Sequence, residues 1–262
     1  MPKQDLAFHT PVMNAAGMLG YTPDLRRFPQ TAQLGCFITN PVSRLPRSPA
    51  ESRTAAHFAG GSLVHTGFPN PGLSAVIRQN ARSWRQSPLP VLLHLMVEHV
   101  AGLCECLQML DGVDGLSGLE LSFHPGAAIE DVLECARLSV REWPVVIELD
   151  IHQSDRILPG LVSCDVAAVC CAPLRGVVPN AAAVDAQNLA GGRIYGPGIF
   201  PQSMYWLRAA RCHGLPVIAA GGVYSVREAD LFLQAGALAV KLDTVLWSGG
   251  ISFPAGWSPD HH

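Results

Sequence analysis

The chain has 262 residues and a formal net charge of −3, with 48% hydrophobic and 15% charged residues. This length and composition suit one domain with a large core, and the small net charge supplies no general attraction to nucleic acid or anionic lipid. No apolar run approaches the roughly 20 residues that a membrane span requires, and residues 1–10 carry charges where a signal peptide would need an apolar core. We therefore expect a cytoplasmic protein without a membrane span or a nucleic-acid partner.

Short apolar runs alternate with helical patterns along the chain. Strands are predicted at residues 36–39, 62–64, 91–95, 118–121, 145–149, 166–170, 217–220 and 238–242. Helices are predicted at residues 72–85, 100–110, 128–142, 202–213 and 225–235. This alternation predicts a parallel sheet, and eight strands are what a closed (β/α)8 TIM barrel needs. We therefore predict an α/β fold in which residues 1–262 form a single barrel domain.

Two connections, residues 41–59 and 173–201, are long and rich in proline, glycine or polar residues. In a compact enzyme such segments are more often lids or binding loops than disorder. We therefore expect both connections to serve a binding site.

The segment 215–247 reads as a strand, a glycine pair, a helix, a second strand and a threonine. Gly221 and Gly222 lack the side chains that would keep a phosphate oxygen away from backbone N–H groups. The last strand brings Asp243 and Thr244 to the same end of the sheet, which in a (β/α)8 barrel commonly holds a phosphate. The alternative is an ordinary βαβ unit whose glycines serve only the turns.

Eight cysteines raise the question of disulfides or a metal site. They are scattered along apparent core elements, and Cys104 and Cys106 are one residue too close for the common CxxC spacing. Buried free thiols are therefore the favoured interpretation. His65, His94 and His124 could converge, but they come from different strands without a ligand spacing, so we expect no metal ion.

Several glycine-rich motifs resemble those of a known family. The motif PVMNAAG at residues 11–17, Gly60-Gly61 and GFPNPG at residues 67–72 resemble, in order and spacing, the opening of the dihydroorotate dehydrogenase family. Gly191-Gly192 and Gly196-Pro197 resemble the flavin-contacting loop of that family, with one residue inserted. The resemblance implies a (β/α)8 barrel that binds FMN across the carboxyl ends of its strands and performs a two-electron redox reaction.

By this resemblance, the flavin contacts fall on small residues, as close backbone approach to a flat cofactor demands. They are Ala15, Ala16, Gly17, Gly196, Gly221, Gly222 and Thr244. Two further cofactor positions depart from the family pattern. Asn40 replaces a lysine, and Asp243 stands where glycine is usual and would repel a phosphate unless its side chain turns away.

The substrate side departs further from the family. Glu148 replaces a second lysine and, if it is ionised and points inward, would oppose the anionic reduced flavin. Val64, Ser122 and Cys170 stand where the resemblance places polar substrate contacts, and His65 lies beside Val64. Loss of several polar contacts is hard to reconcile with the same ligand, so we do not expect dihydroorotate as the substrate.

His124 is the candidate catalytic residue, because it fills or replaces the position of the family's base. An imidazole titrates near neutral pH and could exchange a proton beside the flavin. The alternative is a loop histidine that only bonds the backbone.

Two functions therefore remain open. The first is an FMN-dependent oxidoreductase that acts on a different small-molecule substrate. The second is a non-catalytic barrel that serves as a binding or assembly module, because both family lysines are lost. The resemblance implies a homodimer, and an oxidoreductase would also require an electron-transfer partner.

Overall fold

The computed structural model describes residues 6, 8–51, 54–140, 143–179, 189–254 and 257. The strands are β1 (Val12–Asn14), β2 (Phe37–Ile38), β3 (Thr54–Phe58), β4 (Gly61–His65), β5 (Val91–Val97), β6 (Gly118–Phe123), β7 (Val145–Leu149), β8 (Ala168–Cys171), β9 (Arg175–Pro179), β10 (Leu189–Tyr195), β11 (Val217–Ala220) and β12 (Ala239–Leu242). The α-helices are α1 (Leu73–Arg85), α2 (Val100–Leu110), α3 (Ile129–Ser139), α4 (Ile151–Leu161), α5 (Phe200–Cys212) and α6 (Val226–Gln234).

Eight of these strands form one parallel sheet, in the order β1, β12, β11, β8, β7, β6, β5 and β2. A parallel bridge between Met13 and Cys36 joins the two end strands, so the sheet closes into a barrel. The predicted (β/α)8 fold is therefore confirmed. Burial on both faces explains why these strands read as nearly continuous apolar runs.

The predicted strand at residues 62–64 lies outside the barrel, and this prediction was wrong about its sheet. It belongs to β4, which pairs with β3 and β10 in a separate antiparallel sheet of order β3, β4, β10 and β9. Gly60, at φ 94°, provides the left-handed turn between β3 and β4. The barrel position goes instead to β1, whose three residues were too short a run to predict.

The antiparallel sheet, which we call the cap sheet, consists of β3, β4, β9 and β10. Its strands β3, β9 and β10 lie in the two long connections that were predicted to serve a binding site. Residues of β4 and β10 line cavities together with residues that follow the barrel strands. The cap sheet therefore supplies part of the wall above the carboxyl end of the barrel.

The predicted helices are present, with small shifts at their ends. Helix α4 was not predicted, because its Pro159-Gly160 pair is typical of a turn. The Asp150 carboxylate caps this helix by accepting a hydrogen bond from the His152 N–H at 2.9 Å. None of the described helices is long and apolar enough to cross a bilayer.

The barrel interior is layered. One apolar layer contains Met13, Cys36, Ile38, Leu92, Val146, Ala168, Cys170, Ile218 and Ala239. Because inward-facing residues alternate along a strand, the next inward positions of β5, β6, β7 and β12 carry His94, Glu120, Glu148 and Lys241. We call these four side chains the polar layer, and they lie one step nearer the carboxyl ends of the strands.

Candidate active site

Lys241 and Glu120 form the centre of the polar layer. The side chains of both residues are at most 1% exposed, and the Lys241 ammonium donates a hydrogen bond to the Glu120 carboxylate. Lys241 Nζ also lies 3.1 Å from Cys170 Sγ and 3.9 Å from Glu148 Oε2. The buried ammonium therefore faces two carboxylates and a thiol.

These contacts keep both partners charged. Burial alone would raise the pKa of Glu120, but the Lys241 ammonium and His94 lower it to about 2. Burial alone would lower the pKa of Lys241, but the neighbouring Glu120 and Glu148 carboxylates raise it above its ordinary value. Burial raises the pKa of Cys170 well above the ordinary value, so this residue is a neutral thiol.

His94 connects this ion pair to a hydroxyl group. Its Nδ1 lies 2.7 Å from Glu120 Oε1, and its Nε2 lies 2.8 Å from Ser122 Oγ. A proton on Nδ1, donated to the carboxylate, leaves Nε2 to accept the hydrogen bond of the serine. The result is a hydrogen-bonded chain from Ser122 through His94 and Glu120 to Lys241, which we call the proton chain.

A cavity lies over the polar layer. One part of its wall consists of small residues near the strand ends, namely Ala15, Ala16, Ala172, Ala220 and Gly221. Another part is polar and contains His94, Glu148, Arg193, Lys241 and Asp243. We call this space the central cavity.

Two further cavities adjoin the central cavity, because all three share Tyr195 as a wall residue. The middle groove is lined by Gly17, Asn40, Val64 and Trp247, among others. The outer groove is lined by Gly196, Tyr224, Thr244 and other residues. The small and polar residues predicted for the cofactor, apart from Gly222, thus lie in the described walls of a path of three neighbouring cavities.

Asp243 and Thr244 face different parts of that path. Asp243 lines the central cavity, whereas Thr244 lines the outer groove. Burial raises the pKa of Asp243, and its Oδ2 is buried without a hydrogen-bond partner among the described residues. Tyr224 and Thr244 share a hydrogen bond of 2.5 Å between their hydroxyl groups. The other oxygen, Asp243 Oδ1, accepts a hydrogen bond from the Thr244 hydroxyl at 3.4 Å, so the carboxylate lies beside Thr244 and the objection that it would repel a phosphate there stands.

Gly222 has a packing role. A Cβ atom at this position would lie 2.5 Å from the backbone nitrogen of Phe200, and its φ is +85°. Gly221, at φ +91°, would bring a Cβ atom within 2.8 Å of the Ile199 side chain. The interpretation of both glycines as turn residues therefore has a physical basis that needs no phosphate.

His124 lies in an exposed loop after β6, and its Nδ1 accepts a hydrogen bond from the Gly126 N–H at 3.0 Å. It is absent from the described walls of the three cavities. His65 is half-buried in β4 and is likewise absent from those walls. The structure thus brings His94, and neither of the other two histidines, to the central cavity.

The most polar part of the site escaped prediction from sequence. Lys241 and Glu120 lie within predicted strands and were not predicted as site residues. A charged residue inside an apolar run such as LAVKL or GLELS nevertheless indicates a buried charge that needs a partner of opposite charge. Arg193 was likewise not singled out. His94, Glu120 and Glu148 place potential ligand atoms within 4.8 Å of one another. The Lys241 ammonium already supplies a positive charge to that group.

Comparisons with known proteins agree with this architecture. The family model described as Dihydroorotate dehydrogenase matches residues 3–123. The dihydroorotate dehydrogenase B (NAD(+)) catalytic subunit of Geotalea daltonii is 27% identical over 277 residues, which cover 93% of this chain and 88% of the relative. The same subunits of Citrifermentans bemidjiense and Trichlorobacter lovleyi are each 25% identical, over 91% of this chain and 84% of the relative.

The chain is similar to the dihydroorotate dehydrogenase family over most of its length. The resemblance of its opening motifs is therefore confirmed, and the similarity to the relatives extends beyond residue 123 into the cavity walls contributed by later strands.

The cavity walls fit the flavin cofactor that the similarity to the dihydroorotate dehydrogenase family implies. Ala15, Ala16 and Gly221 leave room for a flat ring at the strand ends. The unpartnered Asp243 Oδ2 suits a ligand that donates a hydrogen bond, as the hydroxyl and N–H groups of FMN do. The positively charged Lys241 lies at the floor of the same space, beside Glu148.

Proposed function

We propose that the protein is an FMN-dependent oxidoreductase with a substrate pocket that differs from those of its dihydroorotate dehydrogenase relatives. The observation that carries this proposal is the central cavity, where small residues of several strand ends meet the proton chain. The names of the relatives support the class of reaction. Bound FMN would supply two-electron redox chemistry at this position.

The cofactor would extend along the continuous path of cavities. Ala15, Ala16 and Gly221 would lie against its flat ring. Gly196 and Thr244, in the outer groove, would face its phosphate end. The unpartnered Asp243 Oδ2 would accept a hydrogen bond from the cofactor.

Lys241 offsets part of the negative charge that Glu148 brings to the site. A carboxylate at that position would oppose negative charge on the ligand, but Lys241 Nζ lies 3.9 Å from it and holds a positive charge. The positive charge that the family keeps on β7 would thus be supplied by β12. Asn40 carries no charge where the family resemblance places a lysine.

Proton transfer would run through His94. With Nδ1–H donated to the ionised Glu120 carboxylate, His94 Nε2 can take the proton of the Ser122 hydroxyl while Ser122 accepts one from the substrate. Glu120 would then stabilise the imidazolium, as the third member of a triad does. His124 remains the alternative base, in a loop outside the described cavity walls.

The substrate side of the proposal follows from three positions. Val64 lines the middle groove, Ser122 is hydrogen-bonded to His94, and the Cys170 thiol accepts a hydrogen bond from Lys241. None of these three side chains carries an amide that could form hydrogen bonds with a pyrimidine ring. We therefore propose a substrate other than dihydroorotate. Because the relatives are named catalytic subunits, we also propose an electron-transfer partner, together with a homodimer and a cytoplasmic location.

Flavin content tests the proposal directly. The visible absorption spectrum of the purified protein should show flavin bands, and heating should release FMN in a ratio of about one per chain. A colourless protein that also fails to take up added FMN would overturn the proposal. Such a protein would be a non-catalytic barrel that serves as a binding or assembly module.

Replacement of His94 tests the proton chain. We expect His94→Gln to slow reduction of bound flavin by about 10²-fold or more, because general acid–base groups contribute on that order. His124→Ala should leave the rate nearly unchanged. The measurement is stopped-flow reduction by the first active compound in a panel of reduced CH–CH substrates that includes dihydroorotate. If flavin reduction is slow in His124→Ala and normal in His94→Gln, the catalytic base is His124 and not His94.

A further inference from the structure

Arg193 is the one arginine named in the described wall of the central cavity. It comes from strand β10 of the cap sheet, and its guanidinium lies 4.0 Å from the centre of the Phe68 ring. Phe68 lines the same cavity. The aromatic ring therefore covers one face of the guanidinium and leaves its N–H edge available to a ligand.

The surroundings of Arg193 do not neutralise it. Among the described residues, its side chain has no hydrogen-bond partner and no carboxylate within 4.0 Å. Arg175 is its direct cross-strand neighbour in β9, and like charges at such positions destabilise the pair. Burial lowers the pKa of Arg193, Tyr195 and Glu148 oppose that shift, and Arg175 and Arg47 add to it. A desolvated cation beside two other arginines is suited to an anion.

Lys241, the other cation of the cavity, is already compensated. Its ammonium donates to Glu120 and lies 3.9 Å from Glu148. An anionic ligand would therefore gain more from Arg193 than from Lys241. This contrast identifies which side of the cavity would hold the negative group.

We propose that Arg193 binds the carboxylate group of a small-molecule ligand in the central cavity. The inference rests on the proposed function, which places the flavin ring against Ala15, Ala16 and Gly221, and it assigns the ligand to the side of the cavity that Arg193 lines. A guanidinium matches the two oxygens of a carboxylate with two parallel N–H donors. A doubly charged phosphate would meet stronger repulsion from Glu148 and Asp243, which line the same cavity.

The rest of the ligand would be flat and largely apolar. The wall beside Arg193 includes Pro41, Phe68, Leu174 and Ile199. These side chains offer contact area but no charge. The ligand class is therefore a planar, singly charged carboxylic acid.

Two matched probe pairs test the inference. Orotate and uracil share a ring and differ in the carboxylate, while benzoate and benzamide differ in charge on a smaller ring. We expect the carboxylate of at least one pair to bind the purified protein about tenfold more tightly than its neutral partner, by isothermal titration calorimetry. Arg193→Met should abolish this preference, and Arg193→Lys should keep only part of it.

Arg175→Met is the matched control, because it removes the neighbouring arginine on β9 that is absent from the described cavity wall. It should retain the preference for carboxylates. Thermal unfolding and FMN content of each variant establish that the fold and cofactor are kept. Absence of a charge preference in both pairs, or its persistence in Arg193→Met, would overturn the inference.

The result is distinguishable from failure of the proposed function. A protein that takes up no FMN but prefers carboxylates through Arg193 would refute the oxidoreductase and retain the binding site. A protein that holds FMN and shows no such preference would retain the oxidoreductase and refute the role of Arg193.

Discussion

Lys241 and Glu120 carry opposite charges at a depth where neither side chain reaches solvent. Such a buried ion pair adds little to the folding stability compared with a pair of apolar side chains, but loss of one partner leaves an uncompensated buried charge. The same residues fix the orientation of His94 through the bond between Nδ1 and Glu120 Oε1. Stability and the proposed proton transfer would therefore depend on one ion pair.

A double-mutant cycle tests this dependence. Lys241→Met should lower the free energy of unfolding by about 3–5 kcal/mol, because Glu120 would remain buried without its cation. The double variant Lys241→Met/Glu120→Gln should lose less than the sum of the single losses. Both values come from urea unfolding monitored by circular dichroism.

The exposed pair of Arg137 and Glu134, with 3.6 Å between Nη1 and Oε2, provides the control. Arg137→Met should change the free energy of unfolding by less than about 1 kcal/mol. Additive losses at Lys241 and Glu120 would show that the two side chains do not stabilise one another.

The pH dependence of the pair has a definite sign. The pKa of Glu120 is lowered from 4.5 to about 2, so the stabilisation is fully present above the unfolded value and is lost as pH falls toward the folded value. The difference in unfolding free energy between the native protein and Glu120→Gln should therefore shrink as pH falls from 4.5 toward 2. A difference that stays constant over this interval would contradict the assignment of the shifted pKa.

At the scale of elements, the start of α5 and the turn after β11 depend on each other. The helix begins at Phe200, whose backbone nitrogen would lie 2.5 Å from a Cβ atom on Gly222. The turn therefore needs glycine both for its left-handed backbone and for the approach of the helix. This close contact fixes where α5 lies relative to the barrel.

Alanine substitutions separate these two requirements. Gly214 also has a left-handed backbone, at φ +75°, but a Cβ atom there would have no neighbour within 4 Å. Gly214→Ala should cost about 1–2 kcal/mol of unfolding free energy, whereas Gly222→Ala should cost more because it adds a steric clash. Urea unfolding of the two variants measures the difference. Equal costs would show that Phe200 moves aside freely.

The cap sheet is the second decisive group of elements. Its strand β10 brings Arg193 into the central cavity, and β4 brings Val64 into the middle groove. The register that pairs Arg193 with Val64 places these wall residues side by side. The cap sheet therefore adds wall residues to both cavities that the barrel strands do not supply.

At the scale of the whole molecule, the reactivity of the eight cysteines would show how tightly the barrel and its helices are packed. All of them lie in the described part of the chain and are free thiols, of which Cys212 is exposed and Cys104 is half-buried. Burial raises the pKa of the Cys36 thiol to about 12 and that of Cys106 to about 11. Thiolates are the reactive form, so buried cysteines should be inert in the folded protein.

Thiol labelling with an aromatic disulfide reagent at mildly alkaline pH checks this arrangement. We expect rapid reaction of Cys212, slower reaction of Cys104, and reaction of all eight cysteines only after denaturation. Cys212→Ser should remove the rapid phase and leave the slower phases in place. Rapid labelling of the buried thiols in the native protein would show that the barrel opens readily.

The sequence by itself determined the barrel, most of its strands and helices, and the family. Those features depend on local signals, namely apolar runs, helical periodicity and glycine motifs, and each acts over a short stretch of chain. The small residues Ala15, Ala16 and Gly221, which the family resemblance predicts as flavin contacts, line the central cavity. Their roles toward FMN remain predictions.

Only the tertiary structure decided which polar groups meet. Lys241 and Glu120 are 121 residues apart in sequence, so no local pattern indicates that they pair. The same is true of Arg193 and Phe68, which meet because the cap sheet folds over the barrel. The position of a buried charge depends on closing the barrel, since its partner comes from a distant strand that becomes a neighbour only when the interior is formed.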